Sequence, residues 1–173
     1  MPVRTFDQAL AFVRQHGIVG IFGDRKSDVP SLWNVVDLPE RQPGEKGWGR
    51  KVSAVWSWKN EIPATYPNEI FYGKLPNGQA VLMTMDRLAA HYADTHRPLR
   101  DCSPLARELH THIALDPTTT GALRKLTGMN RPPERGRFDK ALLELQTTLN
   151  VVRRNDPKDK NDTWIPFAEQ HVD

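Results

Sequence analysis

The sequence has one cysteine and no long apolar run, and these two absences restrict the classes of protein that it encodes. The single thiol of Cys102 cannot form an internal disulfide or supply a cysteine-rich zinc site. A transmembrane helix needs about 18 consecutive apolar residues, and no stretch of the sequence approaches this length. The first residues also lack the apolar core of a secretory signal. We therefore expect a cytoplasmic protein with no membrane partner. A length of 173 residues predicts one domain or two small lobes.

Patterns for catalysis and metal binding are also missing. His110 and His112 are two positions apart on a predicted helix, so their side chains diverge by about 200°. The segment from Gly17 to Gly23 lacks the lysine and the glycine spacing of a phosphate-binding loop. We therefore expect no metal and no cofactor, and we assign no catalytic residue.

The charge is unevenly distributed along the chain. The whole sequence has 24 lysines and arginines against 21 acidic residues. Between Thr118 and Arg154 there are eight basic and three acidic residues, an excess of five positive charges. Such a concentration on one supersecondary unit is typical of binding to a phosphate backbone. The alternative is a solvated surface of mixed sign.

The C-terminal half has the element order of a winged helix-turn-helix. Ser103-Pro104 predicts the start of a first helix that stops at Asp116-Pro117, and Gly121 to Leu126 predicts a second helix closed by Gly128. A third helix follows Pro133. Two short extended segments, 151–154 and 163–167, then flank a polar loop. In a winged helix-turn-helix the third helix enters the major groove and the hairpin loop contacts phosphates.

The third helix has the clearest periodicity in the sequence. Its apolar stripe contains Phe138, Ala141, Leu142, Leu145 and Leu149. The opposite face contains Gly136, Lys140, Glu144 and Thr147, with Leu143 as an apolar exception. We expect Leu143 to contact something beyond the three helices.

Nine basic residues of this half are the predicted DNA contacts. They lie on the second helix, the third helix and the hairpin: Arg124, Lys125, Arg135, Arg137, Lys140, Arg153, Arg154, Lys158 and Lys160. The alternative is a fold of the same kind that is used only for protein contacts, because fold does not determine function.

The N-terminal half predicts a similar order of elements. It begins with a helix over 6–16, a buried strand over 18–23 and a short helix over 31–36. Residues 50–61 are compatible with a helix or a strand, and we favour a helix that ends at Ile62-Pro63. Two strands, 69–75 and 79–85, are joined by Pro76-Asn77-Gly78, and we expect a two-residue turn with positive φ at Asn77 and Gly78.

These elements predict an α+β fold of two winged-helix-like lobes. The predicted lobes are 1–100, rich in aromatic residues, and 101–173, the winged helix-turn-helix. A candidate pocket for a stacked base in the first lobe consists of Trp56, Trp58, Lys59, Glu61, Tyr72 and Lys74. The alternative, which we favour, is that these aromatic rings are the core of the lobe.

Several segments resemble the AlkZ-related proteins, short relatives of the winged-helix glycosylases that repair DNA crosslinks. They are Val29-Pro-Ser-Leu-Trp-Asn, Val55-Trp-Ser-Trp-Lys-Asn-Glu-Ile-Pro, Ile70-Phe-Tyr-Gly-Lys-Leu and Ala141-Leu-Leu-Glu-Leu-Gln. The resemblance implies the winged-helix fold and a connection to DNA. The longer glycosylases have a catalytic glutamine, an apolar residue, then aspartate or glutamine. Here Gln79-Ala80-Val81 and Gln146-Thr147-Thr148 both differ at the last position.

We therefore predict a winged-helix DNA-binding protein linked to DNA repair, with duplex DNA as its partner. Two alternatives stay open. One is a base-excising hydrolase similar to a DNA glycosylase, and the other is a protein-interaction module, with a protein partner or a second copy of the chain in place of DNA.

Overall fold

The computed structural model describes residues Pro2–Gly23 and Ser27–His171. In chain order, the elements are α1 (Phe6–His16), β1 (Ile18–Gly20), α2 (Leu32–Val35), α3 (Arg50–Thr65), β2 (Ile70–Lys74), β3 (Ala80–Thr84), α4 (Met85–Thr95), a 3-10 turn (Leu99–Asp101), α5 (Pro104–Leu115), β4 (Thr118–Thr119), α6 (Thr120–Thr127), α7 (Glu134–Thr147), β5 (Val151–Arg153), β6 (Thr163–Pro166) and α8 (Phe167–Gln170). Helices and two small sheets alternate, which confirms the predicted α+β class. Within the described ranges, no helix is both long enough and apolar enough to cross a bilayer.

The chain divides into two compact units. Unit 1 comprises residues 1–72 and 79–89, and unit 2 comprises 73–78 and 90–173. The predicted lobes, 1–100 and 101–173, stay a prediction. The boundary between the units falls after Ala89 and not after residue 100, because the end of α4 packs within unit 2. There Tyr92 stacks on Phe167, with ring centroids 5.5 Å apart.

Unit 1 is built on a three-stranded sheet in the order β1-β3-β2. Strand β1 pairs antiparallel with β3, with Val19 opposite Leu82. Helix α1 begins because the Thr5 hydroxyl accepts a hydrogen bond from the backbone N–H of Gln8, and it ends at Gly17. The core includes Leu10, Val13, Leu32, Ile62 and Ile70, together with Trp58 and Tyr72.

Unit 2 is built on a second three-stranded sheet, in the order β4-β6-β5. Both pairings are antiparallel, with Thr118 opposite Trp164 and Val152 opposite Ile165. The core packs α5, α6 and α7 around Leu109, Leu123, Phe138 and Leu145. Gly128, at φ +69°, closes α6 in the left-handed conformation that its sequence position predicts.

The two units share one order of elements. In each unit a helix and a short strand are followed by two helices and two further strands, and the last strand is the central one of its sheet. The sequence predicted the helices and the hairpins of this order. It did not predict β4, because Thr118 and Thr119 have the hydroxyl groups of a helix cap, and Thr119 does cap α6. Pairing with Trp164 is a long-range contact that no local pattern indicates.

Three local predictions for unit 1 need correction. Helix α3 is a helix, as favoured, but it continues through Pro63 to Thr65, and the Tyr66 N–H bonds to the Ile62 carbonyl at 3.0 Å beyond that proline. Strand β1 ends at Gly20 and not at Gly23, since the Ile21 carbonyl instead accepts the N–H of Trp33. The third correction concerns the turn between β2 and β3.

That turn contains one residue with positive φ and not two. Gly78 has φ +87°, whereas Asn77 is outside the positive-φ region. The Gly78 N–H bonds to the Leu75 carbonyl at 2.7 Å, so Pro76 and Asn77 are the central residues of a four-residue turn. Proline has the φ that the first central position of such a turn requires, and glycine then takes the left-handed position that follows.

Candidate nucleic-acid interface

The nine predicted DNA contacts all lie in unit 2, and six of them have exposed side chains. The exposed residues are Lys125 on α6, Arg135, Arg137 and Lys140 on α7, and Lys158 and Lys160 in the loop between β5 and β6. Arg137 pairs with Glu134 one turn earlier on α7. Within the described residues, no ion pair involves the other five.

Arg124 contacts its own unit. Its Nη2 atom lies 2.8 Å from Asp139 Oδ1, and its guanidinium lies 5.3 Å from the centre of the Phe138 ring. The side chain is only 21% exposed. Arg124 therefore joins α6 to α7, and its charge is already compensated.

The two arginines at the start of the hairpin loop are also engaged. Arg154 makes two hydrogen bonds to Asp159, of 3.0 and 2.8 Å, and this bonding raises the pKa of the Arg154 guanidinium above its ordinary value. Arg153 is 6% exposed, and its Nη1 lies 3.9 Å from Asp162. Lys158 and Lys160 are thus the exposed cations of this loop without an ion pair.

The first turns of α6 and α7 have an open surface. A Cβ atom added to Gly121 on α6 or to Gly136 on α7 would meet no other atom within 4 Å. Gly136 lies beside Arg135 and Arg137, and all three residues are exposed. A large partner can therefore approach the backbone of α7 closely at this point.

The same face of α7, from Arg137 to Thr147, lines a cleft within unit 2. The cleft has a volume of about 730 Å³, and its walls come from α7, from the start of α5 and from Pro76 in the turn 73–78. Leu143 lies here, and its Cδ2 would be 3.9 Å from a Cβ atom on Gly78. The expectation that Leu143 contacts something beyond the three helices stays a prediction, and Pro76 lines the same cleft.

Glu144 organises the polar side of this cleft. Its carboxylate accepts hydrogen bonds from the Ser103 hydroxyl at 2.6 Å, the Ser103 backbone N–H at 3.1 Å and the Arg97 guanidinium at 2.9 Å. The Ser103 hydroxyl also accepts the Ala106 N–H and so caps α5. Both carboxylate oxygens are thereby bonded.

The candidate pocket of aromatic residues is largely core. Trp58 and Tyr72 are 7% and 9% exposed and belong to the core of unit 1. The Lys59 ammonium lies 3.4 Å from the centre of the Trp56 ring and 5.5 Å from that of Tyr72.

The other members of the predicted pocket are not core residues of unit 1. Glu61 is exposed, and Lys74 belongs to unit 2. Trp56 is 42% exposed and packs edge-on against Trp48, with ring centroids 5.5 Å apart.

The structure offers no metal-binding group in the part of the chain that it describes. His110 is half-buried, and burial lowers its pKa. Cys102 is buried, and its thiol donates to the Pro98 carbonyl at 3.7 Å.

Sequence reasoning missed the cleft. Glu144 lies more than 40 positions along the chain from both Arg97 and Ser103, which it contacts. One feature of the sequence indicates the cleft: Leu143 is an apolar residue beside Lys140 and Glu144, on the helix face opposite the apolar stripe. An apolar residue among polar neighbours indicates that something covers that part of the helix.

Comparisons with known proteins relate the chain to one family. A search of curated proteins and a search of solved structures each found no match. The family model described as AlkZ related matches residues 3–164, which span both units. The match confirms the resemblance that the aromatic segments and α7 indicated, and it links the chain to DNA repair proteins. The chain belongs to the AlkZ-related family.

Proposed function

We propose that unit 2 is a winged helix-turn-helix that binds duplex DNA, mainly through phosphates, in DNA repair. The observation that carries this proposal is the set of exposed cations on α6, α7 and the β5–β6 loop that have no acidic partner. Their elements stand in the order helix, strand, helix, helix, hairpin. That order is the one in which a helix-turn-helix and a wing contact DNA together.

The first two turns of α7 are the part that would enter the major groove. In helix-turn-helix proteins the N-terminal residues of the recognition helix contact base edges. Arg135 and Arg137 are exposed there, and the surface around Gly136 is open. The later residues Leu143 and Thr147 line the cleft. A short reading segment makes few base contacts, so we expect low sequence specificity.

The wing contributes modestly to this interface. Arg154 is hydrogen-bonded to Asp159 and Arg153 is paired with Asp162 at 3.9 Å, whereas Lys158 and Lys160 are exposed and have no ion pair among the described residues. These two lysines suit phosphate oxygens on the flank of the groove.

Binding of this kind is weak and depends on salt. Nonspecific duplex binding has a dissociation constant on the order of 10⁻⁴ to 10⁻⁶ M at physiological salt, and its logarithm changes by about 0.9 per phosphate contact for each decade of salt. We expect values in this range for a duplex of arbitrary sequence.

The test is a titration of fluorescent duplex DNA at several salt concentrations. The variant Lys125→Gln, Arg135→Gln, Lys158→Gln removes one cation from each element and breaks no ion pair. If each cation makes one phosphate contact, the slope of log Kd against log salt concentration should be smaller by about 2.7 in this variant than in the wild type. The matched control is Arg50→Gln, Arg87→Gln, Arg107→Gln, which removes three exposed cations outside the interface.

Two results would contradict the proposal. One is the absence of wild-type binding at about 50 mM salt, where phosphate contacts are strong. The other is an equal loss of affinity in the interface variant and in its control. Either result would favour a protein-interaction module.

A further inference from the structure

The cleft of unit 2 has the size and the charge of a ligand site, and it shares Arg137 and Lys140 with the proposed duplex interface. Its volume of about 730 Å³ is within the range of about 300 to 1,000 Å³ typical of small-molecule pockets. Its lining includes three cations, Arg97, Arg137 and Lys140, and one carboxylate, Glu144. The lining therefore has two excess positive charges, one of which is paired with Glu134 from outside the lining.

The three cations still have donors to offer a ligand. Lys140 is exposed and has no ion pair within the described residues. Arg97 is bonded to Glu144, and Arg137 to Glu134, each through one terminal nitrogen. An arginine has five N–H donors, so most of them remain. Arg137, Lys140 and Glu144 recur at helical spacing, which places them along one face of α7.

Besides Ser103 and Thr147, the remaining lining of the cleft is apolar and suits a flat organic group. Pro76 and Pro104 are exposed, and Leu105 and Leu143 are half-buried. Prolines and leucines offer contact area to a ring without competing hydrogen bonds. The first residues of α5 also line the cleft, and the positive end of the helix dipole there favours an anionic ligand.

We propose that this cleft binds a phosphate monoester of mononucleotide size. A phosphate monoester has a charge of about −1.5 to −2 at neutral pH, which the excess positive charge of the lining would attract. Lys140 and Arg97 would hold the phosphate, and Leu105 and Leu143 would contact the base. Two sources have this chemistry: a free mononucleotide and the 5′-phosphate end of a DNA strand.

The proposal is tested by isothermal titration calorimetry with deoxyadenosine monophosphate. We expect the monophosphate to bind at least tenfold more tightly than deoxyadenosine or inorganic phosphate alone, because it makes both sets of contacts. Lys140→Gln should weaken monophosphate binding about tenfold, and Lys125→Gln, which changes an exposed lysine on α6, should not. Thermal melts check that both variants are folded.

Two competition arms identify the source. A 5′-phosphorylated single strand that displaces the monophosphate, when its 5′-hydroxyl counterpart does not, supports a strand end. Binding of the monophosphate without such competition supports a free mononucleotide. Equal binding of monophosphate and nucleoside, no binding at millimolar concentration, or equal loss in Lys140→Gln and Lys125→Gln would overturn the proposal.

The triple variant separates this outcome from duplex binding. The variant Lys125→Gln, Arg135→Gln, Lys158→Gln leaves every residue of the cleft lining in place. It should therefore lose duplex affinity and keep the monophosphate site. A protein that binds duplex and not the monophosphate would overturn this inference alone.

Discussion

The Ser103 hydroxyl donates a hydrogen bond of 2.6 Å to Glu144 Oε2, which joins the first residue before α5 to the outward face of α7. The same carboxylate accepts the Ser103 N–H and the Arg97 guanidinium. One side chain thus holds three segments together and fixes the polar wall of the cleft. Its bonds are charge-assisted, which makes them stronger than neutral ones.

We expect Glu144→Ala to lower the free energy of unfolding by about 1 to 3 kcal/mol, because it removes the acceptor of these bonds. Glu134→Ala is the control, since its exposed pair with Arg137 within α7 contributes at most about 0.5 kcal/mol. Urea unfolding followed by circular dichroism measures both. Equal effects of the two substitutions would show that Glu144 does not hold the segments together.

The turn before β3 gives a second prediction. Gly78 has φ +87°, a conformation that costs a residue with a side chain about 1 to 2 kcal/mol. Space is not limiting, since a Cβ there would lie 3.9 Å from Leu143. We expect Gly78→Ala to lower the unfolding free energy by about 1 kcal/mol, and Gly78→Val to lower it further, because a β-branched residue resists positive φ.

Gly121→Ala is the matched control for the turn. Gly121 lies in α6, outside the positive-φ region, with open space around its Cα. Alanine is favoured over glycine in a helix, so this variant should be neutral or more stable in the same urea titration. Destabilisation by Gly121→Ala as large as that by Gly78→Ala would contradict backbone strain as the cause.

The third prediction is that the free energy of unfolding decreases at acidic pH. Burial lowers the pKa of His171 from 6.5 to about 4, so the folded protein keeps this ring neutral at a pH where the unfolded chain protonates it. The unfolded state then binds more protons, and stability falls as the pH drops from about 6.5 towards about 4. Burial also lowers the pKa of His91 and of His110, which adds to the same slope.

His171→Phe removes one titrating ring and keeps the aromatic contact with Phe167, whose centroid lies 4.8 Å away. We expect its unfolding free energy to change less between about pH 7 and pH 5 than that of the wild type. This window lies above the range where Glu69 and Asp86 protonate, since the pKa of each is lowered, by Arg14 and by Thr84. An unchanged pH dependence in His171→Phe would show that the ring is not protected from protons.

Local signals in the sequence predicted most of unit 2. Ser103 does cap α5, Gly128 does close α6, and Phe138, Ala141, Leu142 and Leu145 of the apolar stripe are buried on α7. These features depend on neighbours within a few positions, where capping and periodicity act. The prediction that Leu149 continues this helix is wrong, since α7 ends at Thr147. In unit 1, α3 was ambiguous because its apolar residues fit both periods, and its helix passes through a proline.

The features that sequence reasoning missed depend on distant contacts. A count of charges does not show which cations are exposed. Arg153 is buried beside Asp162 because it lies on β5, where all three residues are buried, whereas Lys158 in the loop is exposed. The cleft needs Pro76 and Arg97 beside α7, and the sequence contains no local sign of that contact. The prediction that the aromatic rings are core is confirmed for Trp58 and Tyr72 and is wrong for Trp56, which is 42% exposed.

The last prediction concerns Gly136 at the start of α7, where stability and binding should change in opposite directions. Glycine in a helix is about 0.8 to 1.0 kcal/mol less favourable than alanine, and a Cβ at Gly136 would meet no other atom within 4 Å. Gly136→Ala should therefore raise the free energy of unfolding by about 0.5 to 1 kcal/mol. Because the proposed interface brings DNA against this backbone, the added methyl group should weaken duplex binding.

Gly121→Ala separates contact with DNA from a general effect of replacing a helical glycine. If α7 enters the groove and α6 lies outside it, as in a helix-turn-helix, only Gly136→Ala should lose affinity, while neither variant should lose stability. Duplex titration at low salt and thermal melting of the same samples measure the two quantities. A Gly136→Ala protein that is more stable and binds duplex as the wild type does would show that DNA does not approach the backbone at the start of α7.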